Sequence, residues 1–280
     1  MKLILGSANF SKGYGIDKKN FFDTSKNNQL ISFCNKNKIK FIDTAYSYNN
    51  SNNIFKNTSV KGFKIITKIT KENFVSENFF KKKIITDLKI LKIKSYYAIL
   101  FHNYKDISYK NKIILKSLLY LKKKGFVKKI GVSLYDKKEY FFFKKYFNPE
   151  VIQIQANVLD RRFLDQSFLK KVKKNKCEIH ARSVFLQGLL INNKKPPKIV
   201  KALINEWRIF CNKYNINKIE YCLNFLKKYK HLDYLVIGFS SLDQIKLVYY
   251  YYKQIKKKNI VYITKVKKNF NYILNPKNWF

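Results

Sequence analysis

Residues 40–45 read KFIDTA, a short apolar run that ends beside a carboxylate, Asp43. Outward from this stretch, seven further runs rich in Ile, Val, Leu and Phe recur along the chain, and several also end in a small or polar residue. Runs of this length and composition predict strands that are buried on both faces. The seven are KLILGSA from Lys2, KIITK from Lys64, YAILFH from Tyr97, KIGVS from Lys129, VIQIQAN from Val151, EIHARS from Glu178 and YLVIGFS from Tyr234.

The segments between these runs carry apolar residues three or four positions apart, which is typical of amphipathic helices. A further helix is predicted after Ser241, through the run Tyr249–Tyr252. Loops are predicted at 49–53 and 194–197 from their Asn, Lys and Pro content. The helical spacing is seen in Ile85, Leu88 and Leu91, and in Ile113, Leu115, Leu118, Leu119 and Leu121.

Eight buried strands that alternate with helices predict a parallel sheet, and eight is the number of strands that closes into a barrel. The length of 280 residues fits the roughly 250 residues typical of such a barrel. We therefore expect an α/β fold, a single (β/α)8 TIM barrel with outer helices that covers residues 1–280 as one domain. The aromatic tail, which ends in NPKNWF, is expected to pack over the barrel or its mouth.

The formal net charge of +42 would suit a partner such as nucleic acid, an anionic membrane or an acidic substrate. Only four of the 59 basic residues are Arg, and the Lys residues are spread along the whole chain. Abundant Lys, Asn, Ile, Phe and Tyr indicate a coding sequence rich in A and T. We expect no nucleic-acid or membrane partner; nucleic-acid binding remains an alternative, which predicts affinity that falls steeply with salt.

The four cysteines stand at irregular spacings, which indicates neither a disulfide framework nor a zinc site. We expect no metal. The N-terminus has at most four consecutive apolar residues, too few for a signal peptide, and no run approaches the length of a membrane span. These features predict a cytoplasmic protein with reduced thiols, and a monomer is the default.

In barrels of this architecture, the chemistry lies where the carboxyl ends of the strands meet. That rule selects an acid, an ammonium, a histidine and several amide or hydroxyl groups, all expected around one mouth. The residues selected are Ser7, Asp43, Lys68, His102, Ser133, Gln153 with Asn157, Arg182 with Ser183, and Ser240.

Seven ordered motifs give the chain a family resemblance. They are LGSANF (5–10), IDTAYSY (42–48), ITK (66–68), LFH (100–102), KKGFVKKIGVS (123–133), IQIQAN (152–157) and ARSVFLQGLL (181–190). In this order they resemble the aldo-keto reductases, and the last resembles the strand-seven motif of one bacterial branch. The resemblance implies reduction of an aldehyde or ketone by a nicotinamide cofactor, with Asp43, Tyr48, Lys68 and His102 as catalytic residues.

The residue chemistry agrees with that implication. Hydride transfer places negative charge on the carbonyl oxygen, which Tyr48 would protonate. The ammonium of Lys68, held by Asp43, would lower the pKa of the Tyr48 phenol, and His102 would orient the carbonyl. Taken singly, the Asp43 and Lys68 pair also fits a structural ion pair, and His102 also fits a core histidine.

For the cofactor, the resemblance implies that Ser133 and Gln153 bind the nicotinamide carboxamide. Arg182 stands where many relatives stack a tyrosine on the ring, and a guanidinium can also cover a ring face. The segment from Ser183 to Gly188 would pass the pyrophosphate. The cofactor-binding residues expected are Ser7, Asp43, Ser133, Gln153, Arg182, Ser183, Phe185, Gly188, Gly238, Ser240 and Gln244.

The adenosine end of the expected cofactor site departs from the family pattern. Gln244, Leu247 and Val248 stand where many relatives carry a basic residue for the 2′-phosphate and a Glu-Asn pair. Nearby lysines could serve as point charges instead. We therefore expect NADPH or NADH, with a slight preference for NADPH.

Two functions fit these residues. The first is an NAD(P)H-dependent oxidoreductase acting on a small carbonyl substrate, with a sugar-like compound as one candidate. The second is a barrel that binds the cofactor as a sensor or regulatory subunit without significant turnover. Fold alone does not separate the two, because one fold serves many functions.

Overall fold

A computed structural model of the chain describes residues 1–10, 16, 22–48, 55, 58–103, 111–254, 274 and 278–279. In this part of the chain, eight parallel strands form a closed barrel in sequence order, with β1 paired to β8. All eight predicted strands and the predicted (β/α)8 fold are confirmed. The strands are β1 (Lys2–Gly6), β2 (Phe41–Asp43), β3 (Lys64–Ile69), β4 (Tyr96–Phe101), β5 (Val127–Leu134), β6 (Val151–Gln155), β7 (Glu178–Arg182) and β8 (Tyr234–Gly238).

The helices surround the barrel, but they do not follow the strands one by one. In the described part of the segment between β2 and β3 there is no α-helix, whereas two helices follow β7. The predicted alternation of one strand with one helix is therefore wrong after β7, whereas residues 49–54 and 56–57 of the β2–β3 segment lie outside the described residues. The helices are α1 (Asn27–Lys36), α2 (Glu77–Ile90), α3 (Asn111–Lys123), α4 (Lys137–Lys144), α5 (Gln166–Lys174), α6 (Lys201–Lys213), α7 (Lys218–Lys227) and α8 (Leu242–Gln254).

Short polar side chains cap several of these helices. Ser76 accepts a hydrogen bond from the backbone N–H of Phe79 at the start of α2, and Asp165 accepts one from Phe168 at the start of α5. Such caps satisfy backbone donors that the first helical turn leaves without partners. They fix where α2 and α5 begin.

Two apolar layers hold the barrel together. A small cluster fills its interior and includes Ile4, Phe41, Ile66, Leu100 and Val236. A much larger cluster lies between the strands and the surrounding helices. Because the strands are buried by both layers, they read as continuous apolar runs.

The strands approach most closely between β5 and β6, at Gly131. A Cβ atom at this position would lie 2.2 Å from the carbonyl oxygen of Val151 and 2.6 Å from the Leu100 side chain. Only glycine fits between these atoms. The glycine in the run KIGVS is thus required by packing.

Polar side chains close the N-terminal end of the barrel. Glu178 accepts hydrogen bonds from Lys129 and from Tyr97, each at 2.6 Å, and its other oxygen lies 3.2 Å from Nε2 of the buried His180. Burial alone would raise the pKa of Glu178, but these partners lower it to about 2. With this end occupied by mutually bonded groups, the opposite mouth is the place for a site.

Helix α3 meets the barrel through a narrower stripe than the sequence indicated. Ile114, Leu115 and Leu118 are buried, whereas Ile113 and Leu119 are 42% and 50% exposed. The helical period of 3.6 residues turns these two positions away from the strands. The prediction that they belong to the buried face is wrong, although the helix itself is confirmed.

The C-terminal region is described in part. Helix α8 contains the predicted Tyr249–Tyr252 run, and the hydroxyl of Tyr252 donates to the backbone carbonyl of Met1 at 3.0 Å. Leu274 and Trp279 are buried in the outer apolar layer. The rest of the tail, and the loop predicted at 49–53, lie outside the described residues, whereas 194–197 is a loop as predicted. In the described portion no helix combines the length and the apolar character that crossing a membrane requires.

Candidate active site

Asp43 and Lys68 form a buried ion pair at the carboxyl ends of β2 and β3. The Lys68 ammonium donates to Asp43 Oδ2 at 2.5 Å and to the carbonyl oxygen of Thr44 at 3.0 Å. The two side chains are only 2% and 4% exposed. Parallel pairing of β2 with β3 brings them together.

Gln153, from β6, donates the second side-chain hydrogen bond to the Asp43 carboxylate. Its amide nitrogen donates to Asp43 Oδ1 at 2.8 Å across the barrel interior. Both oxygens of Asp43 are therefore held, one by Lys68 and one by Gln153. The sequence indicated Gln153 only as a cofactor ligand and missed this contact, because it joins residues 110 positions apart.

Tyr48 lies in the turn after β2, and this turn is tied to β3. The backbone N–H of Tyr46 donates to the carbonyl of Lys68 at 2.9 Å, and that of Tyr48 to the carbonyl of Ala45 at 3.0 Å. These bonds place the Tyr48 ring with its centroid 5.5 Å from the Lys68 ammonium. The turn that spans the five positions from Asp43 to Tyr48 thus brings the Tyr48 ring close to the Asp43–Lys68 ion pair.

His102 follows β4 and faces Tyr48. Its backbone N–H donates to the carbonyl of Ile69 at 2.9 Å, which continues the pairing of β4 with β3. The imidazole centroid lies 6.4 Å from that of Tyr48, with the rings nearly perpendicular at 87°. Nδ1 lies 3.2 Å from the hydroxyl of Ser47. All four residues expected to be catalytic therefore lie together at one mouth.

The protonation equilibrium of Tyr48 differs from the expectation. Although part of its side chain is exposed, burial around the hydroxyl raises the pKa of Tyr48 above its ordinary value, and the charge of Asp43 acts in the same direction. The cation that opposes this rise is Arg182. The net shift is therefore upwards, whereas the sequence predicted that Lys68 would lower this pKa; the Lys68 ammonium is bonded to Asp43 and to the Thr44 carbonyl.

Arg182 ends β7, and its side chain reaches over the end of β6 towards β5. One terminal nitrogen donates to the carbonyl of Leu134 at 3.3 Å, and the guanidinium carbon lies 4.4 Å from the ring centroid of Tyr135. Its buried Nε has no hydrogen-bond partner. The guanidinium thus stacks on an aromatic ring of the protein itself.

Several buried polar atoms at this mouth have no hydrogen-bond partner among the described residues. They include the hydroxyls of Ser7 and Ser133, which are 0% and 1% exposed. Ser133 lies beside Gln153 in the β5–β6 register. Because a buried polar group without a partner is costly, such atoms suit a ligand that supplies hydrogen bonds. The expected carboxamide contacts of Ser133 and Gln153 fit this arrangement.

The loop after β7 has an unusual backbone. Ser183, Leu186 and Gln187 adopt positive φ angles of 57°, 47° and 53°, and Gly188 follows at 87°. Non-glycine residues rarely take this conformation, and it concentrates at functional sites. Asn157 stabilises the loop by donating to the carbonyl of Ser183 at 3.0 Å. The side chain of Phe185 is turned into the apolar core and is 7% exposed.

The residues expected at the adenosine end contact one another. The Gln244 side chain accepts a hydrogen bond from the backbone N–H of Ser240 at 2.9 Å, and Asn9 donates to the Ser240 hydroxyl at 3.2 Å. Gly238 lies beside Gly6 in the β1–β8 register and is exposed. This group lies at the β1–β8 seam, and no contact among the described residues links its side chains to Asp43.

The sequence analysis missed a second polar network beside the site. Arg162 binds Asp160 through two hydrogen bonds of 2.9 and 2.6 Å, and it also donates to the amide oxygen of Gln155 at 2.8 Å and to the carbonyl of Tyr135 at 3.3 Å. Arg162 therefore anchors the segment on which Arg182 stacks. The signal was present, since arginine is rare in this chain and Arg162 stands two residues after Asp160, in the segment that follows β6.

Groups that would coordinate a metal do not gather here. Across the described ranges, no three His, Cys, Asp or Glu side chains lie close enough to hold a metal ion. The four cysteines are buried and free.

Comparison with known proteins places this geometry in a family. The model of the Aldo/keto reductase family matches residues 2–268. The aldo-keto reductase AKR11C1 from Bacillus halodurans, in its holo form, is similar in structure with a TM-score of 0.70 and 17% sequence identity, over 95% of each chain. The thermostable aldo-keto reductase Tm1743, in complex with the inhibitor epalrestat, has a TM-score of 0.67 at 15% identity over 92% of this chain and 91% of that chain. No curated protein sequence matches.

At these identities the similar structures show the fold alone, whereas the family model rests on the sequence and spans nearly all of it. The closed parallel barrel agrees with the structural similarity to aldo-keto reductases. The chain therefore belongs to the aldo/keto reductase family, whose members are NAD(P)H-dependent oxidoreductases of carbonyl compounds.

Proposed function

We propose that this protein reduces an aldehyde or ketone by direct hydride transfer from NAD(P)H, with Tyr48 as the general acid. The observation that carries the proposal is the joint placement of Tyr48, His102 and the Asp43–Lys68 pair at one mouth of the barrel. When bound, the nicotinamide supplies the hydride. The residues of the chain bind and orient the carbonyl group and deliver a proton to its oxygen.

Tyr48 holds the proton that the reduction consumes. Its raised pKa keeps the phenol protonated at neutral pH, so that it can donate to the carbonyl oxygen as negative charge develops there. The phenolate that remains is stabilised by nearby positive charge. Arg182, whose charge already acts on this hydroxyl, is suited to that task.

The Asp43–Lys68 pair and His102 fix the field around the reacting oxygen. Lys68 places a full positive charge near the Tyr48 ring, and the two bonds on Asp43 keep that charge in position. His102 faces the phenol and can donate a hydrogen bond to the same carbonyl oxygen. Fixed donors at such a position lower the barrier without reorganisation.

The proposed cofactor site follows the strand ends from β5 to β8. Ser133 supplies a buried hydroxyl without a partner, and Gln153 retains one amide hydrogen and its carbonyl oxygen besides the bond to Asp43. The backbone of 183–188 would pass the pyrophosphate. For the adenosine end we propose Ser240 and Gln244, which would exchange their mutual hydrogen bond for bonds to the cofactor.

We propose NADPH as the preferred cofactor over NADH. The protein carries a formal net charge of +42, so an additional phosphate is attracted by the whole molecule. The substrate is proposed to be a small, polar carbonyl compound of sugar-like character, since Ser133, Asn157 and Arg182 give the described part of the mouth a polar lining.

The test is the Tyr48→Phe variant, assayed for NADPH binding and for carbonyl-dependent NADPH oxidation. We expect the dissociation constant for NADPH to change less than about threefold and turnover to fall at least about a hundredfold, since one general acid contributes on the order of 10²–10⁴ in rate. Tyr250→Phe removes the hydroxyl of an exposed tyrosine in α8 and serves as the matched control.

Two results would contradict the proposal. Turnover by Tyr48→Phe equal to that of the Tyr250→Phe control would remove Tyr48 from the chemistry. Cofactor binding by the unmodified protein without turnover of any carbonyl compound would instead favour the regulatory or sensor function.

A further inference from the structure

Arg182 lies at the mouth and has no acidic partner among the described residues. Its two contacts within the described residues are to neutral groups, the Leu134 carbonyl and the Tyr135 ring. It forms no ion pair in that part of the chain. Arg162, in the segment that follows β6, is bonded to both carboxylate oxygens of Asp160.

The two acidic side chains on the segments that follow β5 and β6, Glu139 and Asp160, have partners other than Arg182. Asp160 is fully buried against Arg162, and Glu139 accepts the backbone N–H of Tyr135 at 2.7 Å. A partly buried guanidinium with a donor that has no partner is an expensive arrangement. Proteins use the planar donor array of arginine to bind carboxylate and phosphate groups.

The orientation of Arg182 is set before any ligand binds. The contact with the Tyr135 ring and the bond to Leu134 restrict the guanidinium. The backbone of Tyr135 is itself held, because its carbonyl accepts from Arg162 and its N–H donates to Glu139. Little side-chain entropy remains to be lost when an anion docks on this edge. Such rigidity is typical of a residue that selects a ligand.

From this placement we propose that Arg182 binds an anionic group of the substrate, a carboxylate or a phosphate attached close to the reacting carbonyl. The proposal rests on the reductase function and specifies its substrate class. Tyr48 and Arg182 then act on two groups of the same substrate: Tyr48 protonates the carbonyl oxygen, and Arg182 binds the anionic group. The guanidinium can lie beside the nicotinamide ring and still present its edge to the anion.

The experiment compares paired probes that differ in the anionic group. One pair is succinic semialdehyde and butanal, for a carboxylate; the other is glyceraldehyde phosphate and glyceraldehyde, for a phosphate. The ratio of kcat/KM for the charged to the neutral probe is measured at saturating NADPH. The proteins are the unmodified enzyme, Arg182→Gln, Arg182→Lys and the control Arg208→Gln, which removes another arginine that donates only to backbone carbonyls.

We expect the unmodified enzyme and Arg208→Gln to favour one charged probe by about ten- to a hundredfold, the range of one charge-assisted hydrogen-bonded contact. In Arg182→Gln this ratio should collapse towards one, mainly through KM of the charged probe. Arg182→Lys should retain part of the ratio, because it keeps the charge without the planar donor array. The pair that shows the preference distinguishes carboxylate from phosphate.

Three outcomes would overturn the proposal. If the ratio of kcat/KM for the charged to the neutral probe stays unchanged in a folded Arg182→Gln or Arg182→Lys protein, Arg182 does not bind the anionic group. Equal losses for charged and neutral probes, with weaker NADPH binding by fluorescence titration, would assign Arg182 to the cofactor instead. Turnover of neutral probes without any preference for charge rejects this proposal alone, whereas absence of turnover for every probe rejects the reductase function as well.

Discussion

Lys68 is the residue whose surroundings most constrain the chemistry. Its ammonium lies inside the barrel and is bonded to Asp43 and to the carbonyl of Thr44. Burying two charges is costly unless both are well paired. We therefore interpret the pair as serving the chemistry of the site, not as a net source of stability. Changing one partner should then have a different effect on stability from changing both.

We expect Lys68→Met alone to lower the free energy of unfolding by about 3–5 kcal/mol, because it leaves the Asp43 carboxylate buried without its cation. The double variant Asp43→Leu with Lys68→Met should recover much of that loss and still lack activity. Urea unfolding of the single and double variants is the measurement. A double variant less stable than both single variants would show that the pair is mainly structural.

The raised pKa of Tyr48 predicts the pH dependence of reduction. The ordinary pKa of a tyrosine is about 10, and here it is raised, so the phenol remains the protonated acid throughout the neutral range. We expect kcat/KM for reduction to be level from about pH 6 to about pH 9 and to fall only at higher pH. A decrease centred near neutral pH that disappears in Tyr48→Phe would contradict the assignment.

The positions of the site residues could be predicted from the sequence where they depend on short motifs, but not where they depend on contacts between residues far apart in the sequence. Asp43, Tyr48, Lys68 and His102 follow strand ends, so short motifs were enough to bring them together. The direction of the Tyr48 pKa was not predictable, because it depends mainly on burial around the hydroxyl, which short motifs do not reveal. The hydrogen bond from Gln153 to Asp43 was not predictable either, because it joins residues 110 positions apart in the sequence.

At the scale of elements, the strands were predictable and the helices less so. Burial on both faces makes each strand a continuous apolar run, a signal that is hard to miss. A helix after β2 was expected from regular alternation, but the described part of that segment contains none, and β7 is followed by two. Helical periodicity also did not show that Ile113 and Leu119 face outwards, because both faces of α3 contain apolar residues.

Because β5 and β6 approach closely at Gly131, we expect the methyl group added by Gly131→Ala to destabilise the protein. Gly131→Ala would place Cβ 2.2 Å from the Val151 carbonyl oxygen, and this backbone atom cannot move without breaking the sheet. We expect a loss of more than about 3 kcal/mol in unfolding free energy. Gly125→Ala, where φ is +81° and nothing lies within 4 Å, is the control and should cost only about 1–2 kcal/mol. Equal costs would refute the steric argument.

At the scale of the whole molecule, charge is the dominant feature. The formal net charge of +42 combines 59 basic with 17 acidic residues, so few cations can be paired. Self-repulsion of this size destabilises a compact protein and is screened by salt. The sequence predicts this property directly, since it depends on composition and not on contacts.

We therefore expect the thermal midpoint to rise by on the order of 5 °C between about 0.02 M and about 0.3 M NaCl, as screening reduces the repulsion. Differential scanning calorimetry at constant pH measures this shift. The same series in the neutral solute glycerol, at matched osmolality, separates screening from general solvent effects. A midpoint that does not change, or that falls with NaCl, would show that the lysines are effectively isolated from one another.

The central claim is that this barrel turns over a carbonyl compound with a nicotinamide cofactor. The measurement that tests it most directly is the absorbance decay of NADPH, and separately of NADH, at concentrations shown by fluorescence titration to saturate the purified protein, with a panel of charged and neutral aldehydes. We expect carbonyl-dependent oxidation, faster with NADPH than with NADH and at least about a hundredfold slower in Tyr48→Phe. Saturable binding of either cofactor with no oxidation in the presence of any aldehyde would contradict the central claim.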